Sequence, residues 1–105
     1  MPDAAPDPEL CQSMTEVRAG IDQLDAEVVR LLARRFAYMR AAARIKPSRD
    51  TVRDEARKVQ VVANAENLAS ELGIPAALVR ELWERLVEGS IAYEFEAWDA
   101  NRDAA

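Results

Sequence analysis

Residues 13–46 read SMTEVRAGIDQLDAEVVRLLARRFAYMRAAARIK, and their apolar residues recur every three or four positions. This period is typical of an α-helix with one buried face. Ser13 and Glu16 form a capping box that predicts a helix start near Met14, and Pro47 predicts the end because it disfavours helical backbone in the residue before it. The apolar face consists of Val17, Ile21, Leu24, Val28, Leu31, Leu32, Met39 and Ala42.

Two cations interrupt this apolar face. Arg35 follows Val17 by 18 residues, or five whole turns, and Lys46 lies 11 residues further on, within about 20° of the same direction. Arg35 could extend its guanidinium to solvent, and a cation such as Lys46 is favourable at the end of any helix. The alternative is that both cations bind an anionic ligand, because a charge on an apolar face needs a partner.

Two further helices are predicted in the rest of the chain. One begins between Thr51 and Asp54 and ends before Gly73, and the other runs from about Pro75 to Asn101. The sequence therefore predicts an all-α fold, a three-helix subunit with a very long first helix. We expect residues 1–12 to form a flexible leader, residues 13–101 a single domain and residues 102–105 a tail.

The length of the first helix predicts the assembly. Its residues span about 50 Å at 1.5 Å each, whereas a compact chain of this size is roughly 35 Å across. The apolar overhang would be covered most simply by the same helix of a second chain. We therefore expect an intertwined homodimer.

Composition excludes several classes of function. The chain has no histidine, so it can form no Ser-His-Asp triad, Cys-His pair or histidine-ligated metal site. Its three glycines cannot build a P-loop or a dinucleotide fingerprint, and we expect neither a metal nor another cofactor. A net charge of −5 argues against nucleic-acid binding. The sequence has no membrane span or signal peptide, and its single cysteine favours the cytoplasm.

Polar residues on or beside the apolar faces suggest a small cavity for a multiply anionic ligand. An arginine guanidinium group binds a carboxylate through two hydrogen bonds, and a lysine ammonium group can donate to a single oxygen. Each residue has an ordinary structural alternative, such as an ion pair between Arg18 and Asp22. If every alternative held, three helices would each carry polar residues beside an apolar face without a common cause. The candidates are Arg18, Arg35, Lys46, Asp54, Arg57, Ser90 and Glu94.

The spacing of these residues resembles the all-helical chorismate mutase family, and its close relative isochorismate pyruvate lyase. The similarity covers residues 14–98. It is carried by Val17-Arg18-x-x-Ile21-Asp22-x-Leu24-Asp25, Leu31-Leu32-Ala33-x-Arg35, Lys46, Val52-Arg53-Asp54-x-x-Arg57 and Ser90-Ile91-x-x-Glu94.

The resemblance implies an intertwined dimer with two equivalent sites for a small dicarboxylate. In the family pattern, Arg18 reaches across from the partner subunit, and Arg35 and Arg57 complete the grip on two carboxylates. Lys46 and Glu94 would donate to the ether oxygen of the bond that breaks. Asp54 would lie near the ring hydroxyl and Ser90 would help to seat a carboxylate.

This chemistry suits a chain without histidine. Rearrangement of chorismate to prephenate needs a restrained conformer and donors to the developing negative charge, and it needs no nucleophile, metal or cofactor. Glu94 replaces a glutamine that many bacterial members have, so it must be protonated to donate. Lys58 replaces a glutamate that often faces the ring hydroxyl, which leaves room for isochorismate or another substituted chorismate as substrate.

Three functions follow. The first is chorismate mutase, and the second is an isochorismate pyruvate lyase that forms salicylate and pyruvate. The third is a helical dimerisation module without catalysis, or a subunit that acts through a partner enzyme of the aromatic pathway.

Overall fold

The computed structural model describes residues 6–103 as three α-helices with two short 3-10 helices. The α-helices are α1 (Met14–Ile45), α2 (Glu55–Glu71) and α3 (Ala76–Asp103), and the 3-10 helices are Pro8–Leu10 and Arg49–Thr51. This described part contains no strand, so the predicted all-α fold with a very long first helix is confirmed. None of its helices has the length and hydrophobicity of a membrane span.

The helices begin and end where local chemistry predicts. At the start of α1 the Glu16 N–H donates to Ser13 Oγ at 3.2 Å, and at the start of α2 the Arg57 N–H donates to Asp54 Oδ1 at 3.0 Å. Each side chain thereby satisfies one of the N–H groups that a helix start leaves without a partner. α1 ends two residues before Pro47, within one residue of the predicted end.

The two chain ends contain more structure than the sequence indicated. Residues 8–10 of the leader form a 3-10 helix, which begins with the Glu9 N–H donating to Asp7 Oδ1 at 3.1 Å. α3 continues to Asp103, two residues past the predicted end at Asn101, and Arg102 in this last turn bonds to backbone carbonyls of residues 43 and 46. Residues 1–5, 104 and 105 of the leader and the tail lie outside the described residues.

The chain divides into two units, and the boundary falls within α1 after Phe36. The second unit, residues 37–103, holds the hydrophobic core, in which α2 packs against α3. Apolar residues of α2 and α3, together with one residue of the connection before α2, supply this core. Its buried members are Val52, Val62, Val87 and Ile91, with Val61, Trp83, Phe95 and Trp98 packed against them.

The first unit contains the leader and the first 23 residues of α1, and none of its described residues is buried. Ile21, Leu24 and Leu31 from the predicted apolar face are 51%, 57% and 60% exposed. An amphipathic helix normally buries such a face. The first unit therefore leaves much of this apolar helix face exposed.

Gly73 ends α2 in the left-handed region, with φ of 72°. The Ile74 N–H donates to Ala69 O at 3.0 Å, which is the closing bond of a Schellman motif. A β-carbon at Gly73 would meet no neighbouring atom within 4 Å, so only its backbone conformation disfavours a side chain.

We expect Gly73→Ala to lower the free energy of unfolding by about 1 kcal/mol, because L-residues are strained at positive φ. Gly89→Ala is the matched control, since a β-carbon there also has no atom within 4 Å and the residue lies inside α3. Alanine should raise stability there by about 0.5–1 kcal/mol. Urea unfolding measures both variants. Equal effects at the two positions would contradict the assignment of the helix end.

Candidate active site

Lys46 and Glu94 meet in the second unit as an ion pair. Lys46 follows the last residue of α1, and Glu94 lies on the buried face of α3. The Nζ and Oε2 atoms are 2.7 Å apart, and the side chains are 29% and 6% exposed. A carboxyl group this buried requires a partner, and Lys46 supplies it.

The Lys46 ammonium is held by a second acceptor. It donates to the backbone carbonyl of Val52 at 3.1 Å, and Val52 is itself 2% exposed in the core. The connection between α1 and α2 therefore folds back so that one of its carbonyls fixes the lysine. An ammonium has three N–H groups, so the carbonyl and the carboxyl group leave one for a ligand.

The Glu94 carboxyl group has unused hydrogen-bonding capacity. Its Oε2 atom is buried and lies 2.7 Å from Lys46 Nζ, and it has no hydrogen-bond partner other than this lysine within residues 6–103. A carboxylate oxygen can accept more than one hydrogen bond. Such an atom is a natural contact point for a polar ligand.

Ser90 belongs to the same face of α3, one turn before Glu94. It is 3% exposed, and its hydroxyl donates to Leu86 O at 2.7 Å. This bond to the preceding turn is typical of a serine inside a helix. Lys46, Ser90 and Glu94 are the predicted site residues that the second unit brings to one buried region.

Asp54 and Arg57 lie at the start of α2, and both are exposed. Asp54 caps the helix, and the Arg57 guanidinium donates to Gln60 Oε1 at 2.6 Å. Their contacts are therefore local to α2. Asp54 has the structural role that its N-cap position predicted, and any role in binding would be additional.

Arg18 and Arg35 belong to the first unit. Arg18 is exposed and forms no ion pair with Asp22 or any other described residue, so the structural alternative of an ion pair with Asp22 is not observed. Arg35 is partly buried. Both remain candidates for anion binding.

A cavity in the first unit lies apart from the Lys46 and Glu94 pair in sequence. It has a volume of about 310 Å³ and lies in the first unit, between the leader and the first turns of α1. Its lining is apolar apart from a few groups such as Glu16 and Glu27, and it includes none of the candidate residues. A groove of this chemistry does not suit a dianionic substrate.

A cluster of exposed charges ties the start of α2 to α3. Glu88 accepts from Arg53 at 2.8 and 3.1 Å, and its Oε2 atom lies 2.9 Å from Lys58 Nζ. Hydrogen bonds from Arg53, and then from Lys58, lower the pKa of Glu88 to about 2. The same contacts raise the pKa of Arg53 and of Lys58. Because Arg53 directly follows Val52, this cluster secures the segment that holds Lys46.

Glu88→Gln should destabilise the protein at pH 7, and the difference from the wild type should shrink as pH falls from 4.5 towards 2. The sign follows because a lowered pKa means that the unfolded chain binds the proton first as pH falls. Molar salt should also shrink the difference. Urea unfolding at several pH values measures it, with the exposed Glu81→Gln on the same helix as control. A difference that is constant between pH 7 and 2 would contradict this role.

Two features of this site carried no clear signal in the sequence. The Val52 carbonyl is a backbone group, which no side-chain pattern marks. The contacts of Trp98 and Arg102 with the end of α1 join residues more than 50 positions apart. Pro47 did offer a hint, because it has no N–H and leaves the carbonyl four residues earlier without its helical donor.

A family model described as chorismate mutase type II matches residues 17–95. The chain belongs to this family. All the candidate residues fall within the match, whereas Trp98 and Arg102 lie beyond it. The predicted resemblance is therefore confirmed at the level of the family.

One relative in this chorismate mutase group extends over almost the full chain. The isochorismate pyruvate lyase of Pseudomonas aeruginosa is 31% identical over 98 residues, which cover 93% of this chain and 97% of the relative. The family model and the relative together indicate an enzyme of the chorismate mutase or isochorismate pyruvate lyase type.

Proposed function

We propose that this protein is a chorismate mutase, which isomerises chorismate or a ring-substituted chorismate to the corresponding prephenate. The observation that carries the proposal is the buried pair of Lys46 and Glu94, with Nζ and Oε2 2.7 Å apart. The pair combines a lysine that has a spare N–H with a carboxyl oxygen that has no hydrogen-bond partner other than this lysine within residues 6–103.

The reaction breaks one ether C–O bond and forms one C–C bond, so no atom is gained or lost. Negative charge develops on the ether oxygen as the bond breaks. Lys46 donates its third N–H to that oxygen. Glu94 is the second donor in the protein molecules in which its carboxyl group carries a proton instead of forming the ion pair with Lys46. Donors already fixed before the reaction stabilise this charge without reorganising, which is the largest contribution to rate in many enzymes.

Arginines restrain the substrate in the reactive conformer. Arg35 and Arg57 grip the two carboxylates in the proposed site, Ser90 seats one of them, and Asp54 with its backbone amide lies towards the ring hydroxyl. Holding the reacting carbons in contact removes much of the entropic barrier of a rearrangement. The Arg57 guanidinium must exchange Gln60 for the substrate, and both partners are exposed enough to move.

A second chain completes the site in this proposal. Exposed apolar residues such as Ile21, Leu24 and Leu31 on α1, and the apolar cavity beside the leader, support a homodimer in which this helix face is covered. Arg18 on the same helix is exposed and acts in trans, in the site of the partner subunit.

The second candidate is isochorismate pyruvate lyase, which the similarity to the Pseudomonas aeruginosa enzyme favours. In this reaction the ether C–O bond breaks, and a hydrogen moves from the ring carbon that bears the hydroxyl to the methylene carbon of the enolpyruvyl group, which leaves as pyruvate while the ring becomes salicylate. The same kind of ether bond breaks in both reactions, so Lys46 and Glu94 serve both. Lys58 supports this candidate too. Its ammonium group has no acceptor to offer to a ring hydroxyl of chorismate. It pairs instead with Glu84 and Glu88.

Incubation with chorismate and, separately, with isochorismate distinguishes the candidates. A mutase removes the ultraviolet absorbance of chorismate without forming salicylate, and a lyase produces salicylate fluorescence from isochorismate. Turnover of neither compound, together with a melting temperature that a dicarboxylate transition-state mimic leaves unchanged, would contradict both functions. That result would favour a dimerisation module without catalysis.

A further inference from the structure

The end of α1 leaves a buried carbonyl without its helical partner. The carbonyl of Ala43 would normally accept from the N–H four residues later, but that residue is Pro47, which has none. Ala43 is 0% exposed, so water cannot replace the missing donor. The carbonyl of Lys46 also lies beyond the reach of any N–H of the helix that ends there.

The last turns of α3 provide these donors. Arg102 donates from Nη1 to Ala43 O at 2.8 Å and from Nη2 to Lys46 O at 2.6 Å, and Trp98 donates from Nε1 to Lys46 O at 3.1 Å. The Arg102 guanidinium carbon lies 4.1 Å from the centre of the Trp98 ring, which fixes the two side chains against each other. We call this pair, Trp98 and Arg102, the helix-end clamp.

The clamp and the proposed catalytic pair share one face of α3. Glu94, Trp98 and Arg102 are spaced by four residues, so they project from successive turns on the same side. Glu94 contacts the side chain of Lys46, and the clamp binds its backbone carbonyl. α3 therefore fixes both the side chain and the backbone of Lys46.

We propose that Trp98 and Arg102 are positioning residues, which set the place of the Lys46 ammonium by holding the backbone from which it projects. This inference rests on the proposed role of Lys46 at the ether oxygen. It assigns a task to a part of the chain that the family match, which ends at residue 95, does not include. A displacement of about 1 Å at a catalytic donor can reduce the rate by as much as 100-fold.

The test compares Arg102→Gln with Arg49→Gln. Arg49 is a matched control, because its side chain also joins the connection to the end of α3. Its Nε lies 2.9 Å from Asp99 Oδ1 and its guanidinium carbon 4.6 Å from the centre of the Phe95 ring, but the side chain forms no hydrogen bond with Lys46. Steady-state kinetics are measured on whichever of chorismate and isochorismate the wild type converts, at a temperature where every variant is folded by circular dichroism. We expect Arg102→Gln to lower kcat by about 10- to 100-fold with KM within about twofold, and Arg49→Gln to change kcat by less than about twofold.

A conservative variant and a spectroscopic measurement complete the design. Arg102→Lys keeps a donor for one carbonyl and should recover part of the lost kcat. Exchange of the Trp98 indole proton with deuterium, followed by nuclear magnetic resonance, reports the clamp directly. The signal is assigned by its loss in Trp98→Phe, and Trp83 serves as internal reference. Exchange should accelerate in Arg102→Gln and not in Arg49→Gln.

The outcomes separate the clamp from the proposed function. An unchanged kcat in folded Arg102→Gln, or equal losses in Arg102→Gln and Arg49→Gln, would overturn the positioning role while leaving the enzyme assignment intact. If the wild type converts neither compound, the proposed function fails and the catalytic role of the clamp fails with it. The indole exchange then decides whether the clamp holds the backbone of Lys46 at all.

Discussion

Replacing Lys46 with alanine is expected to lower kcat by at least about 100-fold, because it removes the donor that meets the developing charge on the ether oxygen. Stability should fall as well, by about 2 kcal/mol, because Glu94 keeps a carboxyl group that is only 6% exposed and has lost its cation. Steady-state kinetics and urea unfolding measure the two effects separately.

The double variant Lys46→Ala/Glu94→Gln separates catalysis from stability. A neutral amide needs no counterion, so the double variant should recover most of the lost stability and none of the lost activity. Arg80→Ala is the control for losing an exposed ion pair. The Arg80 side chain is 60% exposed and its Nη1 atom lies 3.6 Å from Glu66 Oε2, so its loss should change stability little. Near wild-type turnover in folded Lys46→Ala would contradict the proposed donor.

The second large effect is expected for Arg35→Ala, which should lower kcat/KM by at least about 100-fold while the protein stays folded. A guanidinium that binds a substrate carboxylate through two hydrogen bonds contributes both affinity and orientation. Dissociation of the proposed dimer would instead identify Arg35 as a structural residue.

Mixing Arg18→Ala with Arg35→Ala protein tests the predicted action of Arg18 in trans. After subunits exchange, half of the dimers are mixed, and one of the two sites in each mixed dimer has both arginines if Arg18 crosses to the partner. The mixture should then recover roughly one quarter of wild-type activity. If Arg18 serves its own chain, no site regains both residues and the mixture stays inactive.

The helices were predictable because their signals are local. Ser13 with Glu16, Asp54 and Gly73 each act within a few residues of a helix end, and each has the predicted contact or backbone angle. The contacts of the last turn of α3 were not predicted, because Arg102 acts on carbonyls 56 and 59 residues earlier in the chain. A long-range contact of this kind leaves no periodic trace in the sequence.

The candidate site was predictable in part for the same reason. Lys46 and Glu94 stood out as polar residues beside apolar faces, and the structure brings them into contact. The Val52 carbonyl that orients Lys46 could not be foreseen, because it depends on how the connection between α1 and α2 folds. The catalytic roles of these residues and the action of Arg18 in trans stay predictions.

The pH dependence of kcat/KM tests most directly whether Lys46 and a protonated Glu94 act together on the ether oxygen. A carboxyl group donates only while it carries its proton, whereas an amide donates at every pH. We therefore predict that kcat/KM of the wild type falls as pH rises, and that the profile of Glu94→Gln is flat over the same range. A flat profile in the wild type, or the same fall in both proteins, would contradict the account.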